Sequence, residues 1–179
     1  MTNRQTSVAG TPIDRRALSL QVTPLEPIVR DAVKSLRRES STRAIDWRIG
    51  ELGSVVGDAE LVRYVFVQLL GNALRFSQDR DPAIIEVGQA RLKDEQVFFV
   101  RDNGVGFDMR QADKWFEDFR RLRDSDSDSA AVGLAAVENI VRRHGGRLWT
   151  QAEPGVGATF FFTLGAAAPA TTSPVRSLR

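Results

Sequence analysis

Apolar side chains follow two rhythms along this chain, a period of two and a period near 3.6, and the changes of rhythm mark out its elements. Leu18 to Val22 alternates, which predicts a short strand. Leu25, Ile28, Val29, Ala32, Val33 and Leu36 then recur at helical spacing and predict a helix through about Arg38. Thr23-Pro24-Leu25-Glu26 reads as its capping box, with proline at the first helical position. Ala44 to Ile49 alternates again around Trp47, and Val55-Val56 adds a third short strand. Asp58 is a suitable N-cap for the strongest helix in the chain. Its stripe of Leu61, Val62, Val65, Phe66, Leu69, Leu70, Ala73 and Phe76 carries it to about Phe76. Ala83 to Ala90 and Gln96 to Val100 read as adjacent strands joined at Lys93-Asp94, and Arg110 to Arg123 as a short helix plus loop. Ala130 to Arg143 is a further amphipathic helix ended by Gly145-Gly146. Arg147 to Ala152 and Ala158 to Leu164 form a last strand pair about Gly155-Val156-Gly157. Residues 1–17 read as a flexible leader, 18–165 as one folded domain and 166–179 as a flexible tail.

Composition narrows the class. A chain of 179 residues with 42% hydrophobic and 27% charged side chains suits one α/β or α+β domain. The absence of cysteine removes disulfides, thiol nucleophiles and thiolate metal sites. A net charge of +2, spread evenly, gives no case for a nucleic-acid partner. No apolar run approaches the roughly 20 residues that cross a bilayer, so a cytoplasmic protein without membrane insertion is expected.

Candidate chemistry starts at VRDNGVGFD, Val100 to Asp108. An apolar strand ends there on one carboxylate, Asp102, an acceptor suited to an exocyclic amino group such as that of adenine. Gly104 and Gly106 remove two side chains, which permits positive φ and lets a flat ligand lie close. The competing reading is a hairpin, because Asn-Gly is a strong turn signal. Asn72 sits on the long helix among core-like neighbours, and its amide oxygen is either a Mg²⁺ ligand or a partner for nearby backbone. Gln68, Asn72 and Arg75 make a polar strip along that helix. Trp115, Phe116 and Phe119 are core or ligand contacts, and Arg120, Arg121 and Arg123 are phosphate partners or solvated charges. Asp124, Asp126 and Asp128 imitate a calcium loop, but Ser129 and Ala135 occupy the places where its glycine and closing glutamate belong. SAAVGLA, Ser129 to Ala135, leads into a helix whose first N–H groups form a potential phosphate cradle. His144, the single histidine, suits a helix C-terminus.

In this order, the segments resemble the ATP-binding domain of bacterial sensor histidine kinases, within the superfamily that also holds gyrase, the Hsp90 chaperones and MutL. The resemblance spans about Leu18 to Leu164, and phytochrome-type kinases look closest. It implies an α+β fold: a two-layer sandwich whose mixed, mainly antiparallel sheet is covered on one face by three helices. LLGNALRFS is similar to the N box, implying that Asn72 holds Mg²⁺ and that Gln68 and Arg75 stand at catalytic positions. DNGVGF is similar to the G1 box, implying that Asp102 reads adenine while Gly104 and Gly106 shape the pocket. WFEDFRRL resembles the F box, with Phe116 and Phe119 anchoring a lid and Arg121 offered to the phosphates. AVGLAAVENIVRRHGG resembles the G2 region, implying nucleotide contacts at Ala131, Gly133 and Leu134, and GVGATFFFTL the closing strand, with Thr159 beside the adenine.

Two departures accompany the resemblance. Ser129 and Ala131 stand where the G2 box has glycines, and a left-handed backbone at either would cost roughly 1 to 2 kcal/mol. No phosphoacceptor hairpin fits in Met1 to Arg16, so the acceptor histidine is expected on a separate domain, with a response regulator downstream. Gln68 replaces the glutamate of ATP-hydrolysing cousins, and an amide is no general base, which favours a transferase. The alternatives are a degenerate, nucleotide-poor docking module and a stand-alone serine kinase of the anti-sigma type.

Overall fold

The computed structural model describes residues 17–39, 43–110 and 129–165. The expected leader up to residue 16, the expected tail, Trp115, Phe116, Phe119, the arginines Arg120, Arg121 and Arg123, and the acidic run Asp124 to Asp128 lie outside them.

Strand β1 (Gln21–Pro24) leads into helix α1 (Leu25–Glu39), followed by β2 (Ile45–Ile49) and β3 (Ser54–Gly57). Helix α2 (Ala59–Phe76), β4 (Ala83–Leu92) and β5 (Glu95–Asp102) come next, and α3 (Ser129–Arg143), β6 (Leu148–Glu153) and β7 (Gly157–Phe162) complete the domain. The main sheet has the order β2-β4-β5-β7-β6, and β1 pairs with β3 in a separate two-stranded ribbon. Only β2 and β4 run parallel; the other neighbours are antiparallel. A parallel pair needs a long crossover, and β3 with α2 provides it.

The three helices described pack against one another through α2, which also lies on β4 and β5. Phe66 of α2 meets Phe162 of β7 edge to face at 5.5 Å, and Phe98 of β5 lies 5.7 Å from the same ring. All three rings are fully buried, and each contributes about 1.5 to 3 kcal/mol relative to exposure. The α1 stripe is buried as its spacing predicts, with Ile28 partly covered. The mixed, mainly antiparallel sandwich implied by the family resemblance is therefore the fold observed.

Two local readings need correction. Thr23 and Pro24 do not cap α1; they end β1, opposite Val55 and Ser54. The Thr23 hydroxyl donates to Gly57 O at 3.0 Å, and the first helical N–H, on Leu25, finds Gly53 O at 3.0 Å. Glu26 pairs with Arg30 instead of reaching back. Phe76 is not in the buried stripe: it is 41% exposed, because its carbonyl is what docks, accepting from Val105 N at 3.0 Å.

Candidate functional site

Alternation along β5 turns Phe98, Val100 and Asp102 toward the helices, so a strand built for packing ends on a charge. Asp102 is 6% exposed. Burial pushes its carboxyl above the usual aspartate range, and the nearby backbone N–H groups of Gly104 and Ala158 pull it partly back. The Gly104 bond is 2.8 Å long. Beyond Asp102 no strand returns over residues 103–110, so the hairpin reading fails. Asn103 serves as a clamp instead: Oδ1 accepts from Ile84 N at 2.9 Å, and Nδ2 donates to Pro82 O at 3.1 Å.

The two glycines of this loop make room for the protein's own backbone. A Cβ at Gly104 would run into Phe76 O and the Asp102 carboxylate. Gly106 has φ +62°, and a Cβ there would strike Glu153 O. Only Gly106 takes the positive φ expected of both. The loop is thereby pressed between the end of α2 and the β6–β7 turn.

Residue spacing places Gln68, Asn72 and Arg75 on neighbouring turns of α2. Asn72 is 7% exposed. Among the buried polar residues described, it alone makes no side-chain hydrogen bond: Thr23, Asp58, Ser77, Asp102, His144, Thr150, Thr159 and Thr163 each have a partner. No fully sealed polar atom lacks a partner among the described residues, so the Asn72 amide keeps access to solvent. The bond from Val105 N to Phe76 O ties the Asp102 loop to α2 about one turn beyond Asn72. Both side chains therefore lie on the helix side of the sheet. Arg75 is exposed, with its guanidinium 5.6 Å from the Phe76 ring centroid.

Gly133 of α3 faces this wall, and a Cβ on it would overlap the Gln68 carboxamide. Close approach of α2 and α3 thus accounts for this glycine. Ser129 and Ala131 lie in the first turn of α3, where backbone is right-handed, so the cost expected from their replacing glycine does not arise. The Leu134 side chain is not free for a nucleotide; it belongs to the core at 5% exposure. Thr159 also needs correction. Register pairs Asp102 with Ala158 and Arg101 with Thr159, so Thr159 points to the opposite sheet face and accepts from Arg101 Nε at 3.3 Å. There it lines a shallow groove with Glu86, Arg101 and Gln151, which Asp102 and Ala158 also border. Ala158 is the residue beside the carboxylate.

Three basic residues were placed by the fold rather than by local pattern. Arg43 donates to Leu74 O at 3.2 Å and Ser77 O at 2.6 Å, covering the C-terminus of α2. Arg80 reaches the carbonyls of Gly104 and Gly155. His144 is buried, with Nδ1 2.8 Å from Ile140 O and Nε2 accepting from Asp58 N at 3.0 Å. It joins the end of α3 to the start of α2 in addition to sitting at a helix C-terminus.

No group of three or more His, Asp or Glu residues suited to a metal occurs among the described residues. A magnesium ion carried by phosphates needs few protein ligands, and the unpartnered Asn72 amide fits that requirement.

The model of the "Histidine kinase-, DNA gyrase B-, and HSP90-like ATPase" family matches residues 57–168. Cyanobacterial phytochrome A of Nostoc sp. is 33% identical over 158 residues, covering 88% of this chain and 20% of its own length. The methanogenesis regulatory histidine kinase FilI of Methanothrix harundinacea is 39% identical over 138 residues, 76% of this chain and 16% of that protein. Full-length ShkA, solved in complex with AMPPNP, superposes with a TM-score of 0.65 at 26% identity, over 86% of this chain and 33% of that one. Among the described residues no helix is long and apolar enough to cross a membrane. The chain belongs to the histidine kinase-, DNA gyrase B- and Hsp90-like ATPase family, and its kinship there is with the catalytic domains of sensor histidine kinases.

Proposed function

We propose that this chain presents Mg-ATP for phosphoryl transfer to a histidine on a separate helical domain, as the catalytic part of a two-component sensor kinase. The observation that carries this reading is Asn72, a buried amide without a hydrogen-bond partner among the described residues, on the helix to which the Asp102 loop is tied. Its carbonyl oxygen would hold Mg²⁺, which supplies charge neutralisation to the phosphates when bound. Asp102 accepts the adenine amino group. Arg75, together with Arg121 from the segment outside the described residues, steadies the triphosphate. Gln68 cannot take a proton from water, so transfer is favoured over hydrolysis. His144 is not the acceptor, because both its nitrogens are engaged in the interior. The acceptor imidazole arrives on a partner domain and passes its phosphoryl group to a response regulator.

The AMPPNP complex of ShkA supports nucleotide as the ligand. The degenerate-module reading drew on Ser129 and Ala131, and their helical backbone weakens it. Calorimetric titration of Mg-ATP into this chain and into Asp102→Ala tests the proposal. Heat from the parent alone is expected; equal heats, or none from the parent, would defeat it. Supplying a histidine-bearing helical hairpin domain in trans with γ-labelled ATP then tests transfer.

A further inference from the structure

Arg80 makes no ion pair among the described residues, although Asp79 and Asp81 flank it; both of its side-chain bonds go to main-chain carbonyls. One is Gly104 O at 3.0 Å, in the loop after Asp102, and the other is Gly155 O, in the β6–β7 turn. The peptide joining Gly104 to Val105 is then held at both ends, its oxygen by Arg80 and its N–H by Phe76 O. Val105 O accepts from Gly155 N at 2.7 Å and closes the circuit back to the turn. Gly104 N, the preceding amide, donates to Asp102 Oδ1. One half-buried guanidinium therefore fixes the segment that aims the carboxylate, across separations of 24 and 75 residues.

We propose that Arg80 is a positioning residue for base recognition: by clasping Gly104 and Gly155 it holds Asp102 in the orientation that accepts the exocyclic amino group of adenine. This rests on the nucleotide reading given above. Guanine carries a carbonyl where adenine has that amino group, and a correctly aimed acceptor discriminates between them. A loosened carboxylate discriminates less.

The test compares the parent with Arg80→Ala and Arg80→Lys, using amide hydrogen exchange of the ligand-free chain and affinities for Mg-ATP and Mg-GTP. In Arg80→Ala, faster exchange is expected at Gly104, Val105 and Gly155 and not in the central strands. ATP affinity should fall about tenfold, as for one lost charge-assisted clasp, with GTP affinity held. Arg80→Lys, which keeps the charge on a side chain of different length without the planar guanidinium, should recover part of both effects. Unchanged exchange at those amides overturns the proposal. So does equal weakening of ATP and GTP, or an exchange increase spread over the whole sheet with a lowered melting temperature. A parent that binds neither nucleotide sinks the nucleotide reading and base recognition with it. A parent that prefers ATP, beside an Arg80→Ala that keeps the same preference, sinks the role of Arg80 alone.

Discussion

Asn72 and Asp102 are buried to nearly the same degree, at 7% and 6% exposure, yet the protein treats them in opposite ways. Around Asp102 the backbone closes in: the Gly104 N–H bonds the carboxylate, and Asn103 and Arg80 pin the loop behind it. Around Asn72 no partner is offered among the described residues. Water still reaches the Asn72 amide, so the fold satisfies the neighbouring polar groups internally while leaving this one open to solvent. On the function proposed above, Asp102 is the preorganised group and Asn72 the one left open for a ligand.

The largest expected effect separates these two conditions. Asn72→Ala should lower magnesium-dependent ATP affinity about a hundredfold, ~2.7 kcal/mol, while the unfolding free energy stays level or rises by up to about 1 kcal/mol, since no bond is lost. Titration with and without magnesium, beside denaturant melts, measures both. Retained magnesium dependence, or a marked loss of stability, would erase the contrast. Asp102→Ala is the converse case: it strands the Gly104 N–H and should cost about 2 kcal/mol of folding free energy in addition to binding. A melt showing no destabilisation would mean that this bond does not hold the loop. A smaller effect, on the bonded side of the comparison, is Ser77→Ala, which removes a 2.7 Å bond to Ala73 O and should cost about 1 kcal/mol by the same melts.

Proton linkage sharpens the comparison with the mildest perturbation. The folded chain holds the Asp102 proton more tightly than the unfolded chain does. As pH rises from the ordinary aspartate value of about 3.9 through the raised folded value, the native state binds more protons than the unfolded state, and Asp102's contribution to stability falls. ATP affinity should climb over the same interval, because the carboxylate is the form that accepts from adenine. Asp102→Asn should flatten both trends. Parallel slopes in stability and affinity would contradict the assignment.

Much of this was legible in the chain itself, for a physical reason: helix and strand periods are local. The bounds of α2 follow from its stripe and from Asp58, whose carboxylate accepts from Glu60 N and Leu61 N as an N-cap should. The glycine pair ending α3 closes it, with Gly145 at φ +74° and Gly146 N bonding Val141 O. What could not be read locally was register and long-range bonding. Thr159 and Ala158 are adjacent in sequence, and only pairing with β5 decides which stands beside Asp102. Arg43 and Arg80 lie in ordinary loop sequence, and their carbonyl partners are 24 to 75 residues away. Thr23 carried a genuine capping pattern that the pairing of β1 with β3 overrode. The closeness of Gly133 to the Gln68 side chain likewise comes from helix packing that no local pattern announces.

The way His144 is held has an experimental use. It is the only imidazole among 179 residues, and packing closes off both of its nitrogens. Mixed with an acceptor domain, this chain is accordingly a silent background for phosphohistidine: acid-labile label recovered after such a reaction sits on the other polypeptide, with no mutagenesis needed to locate it.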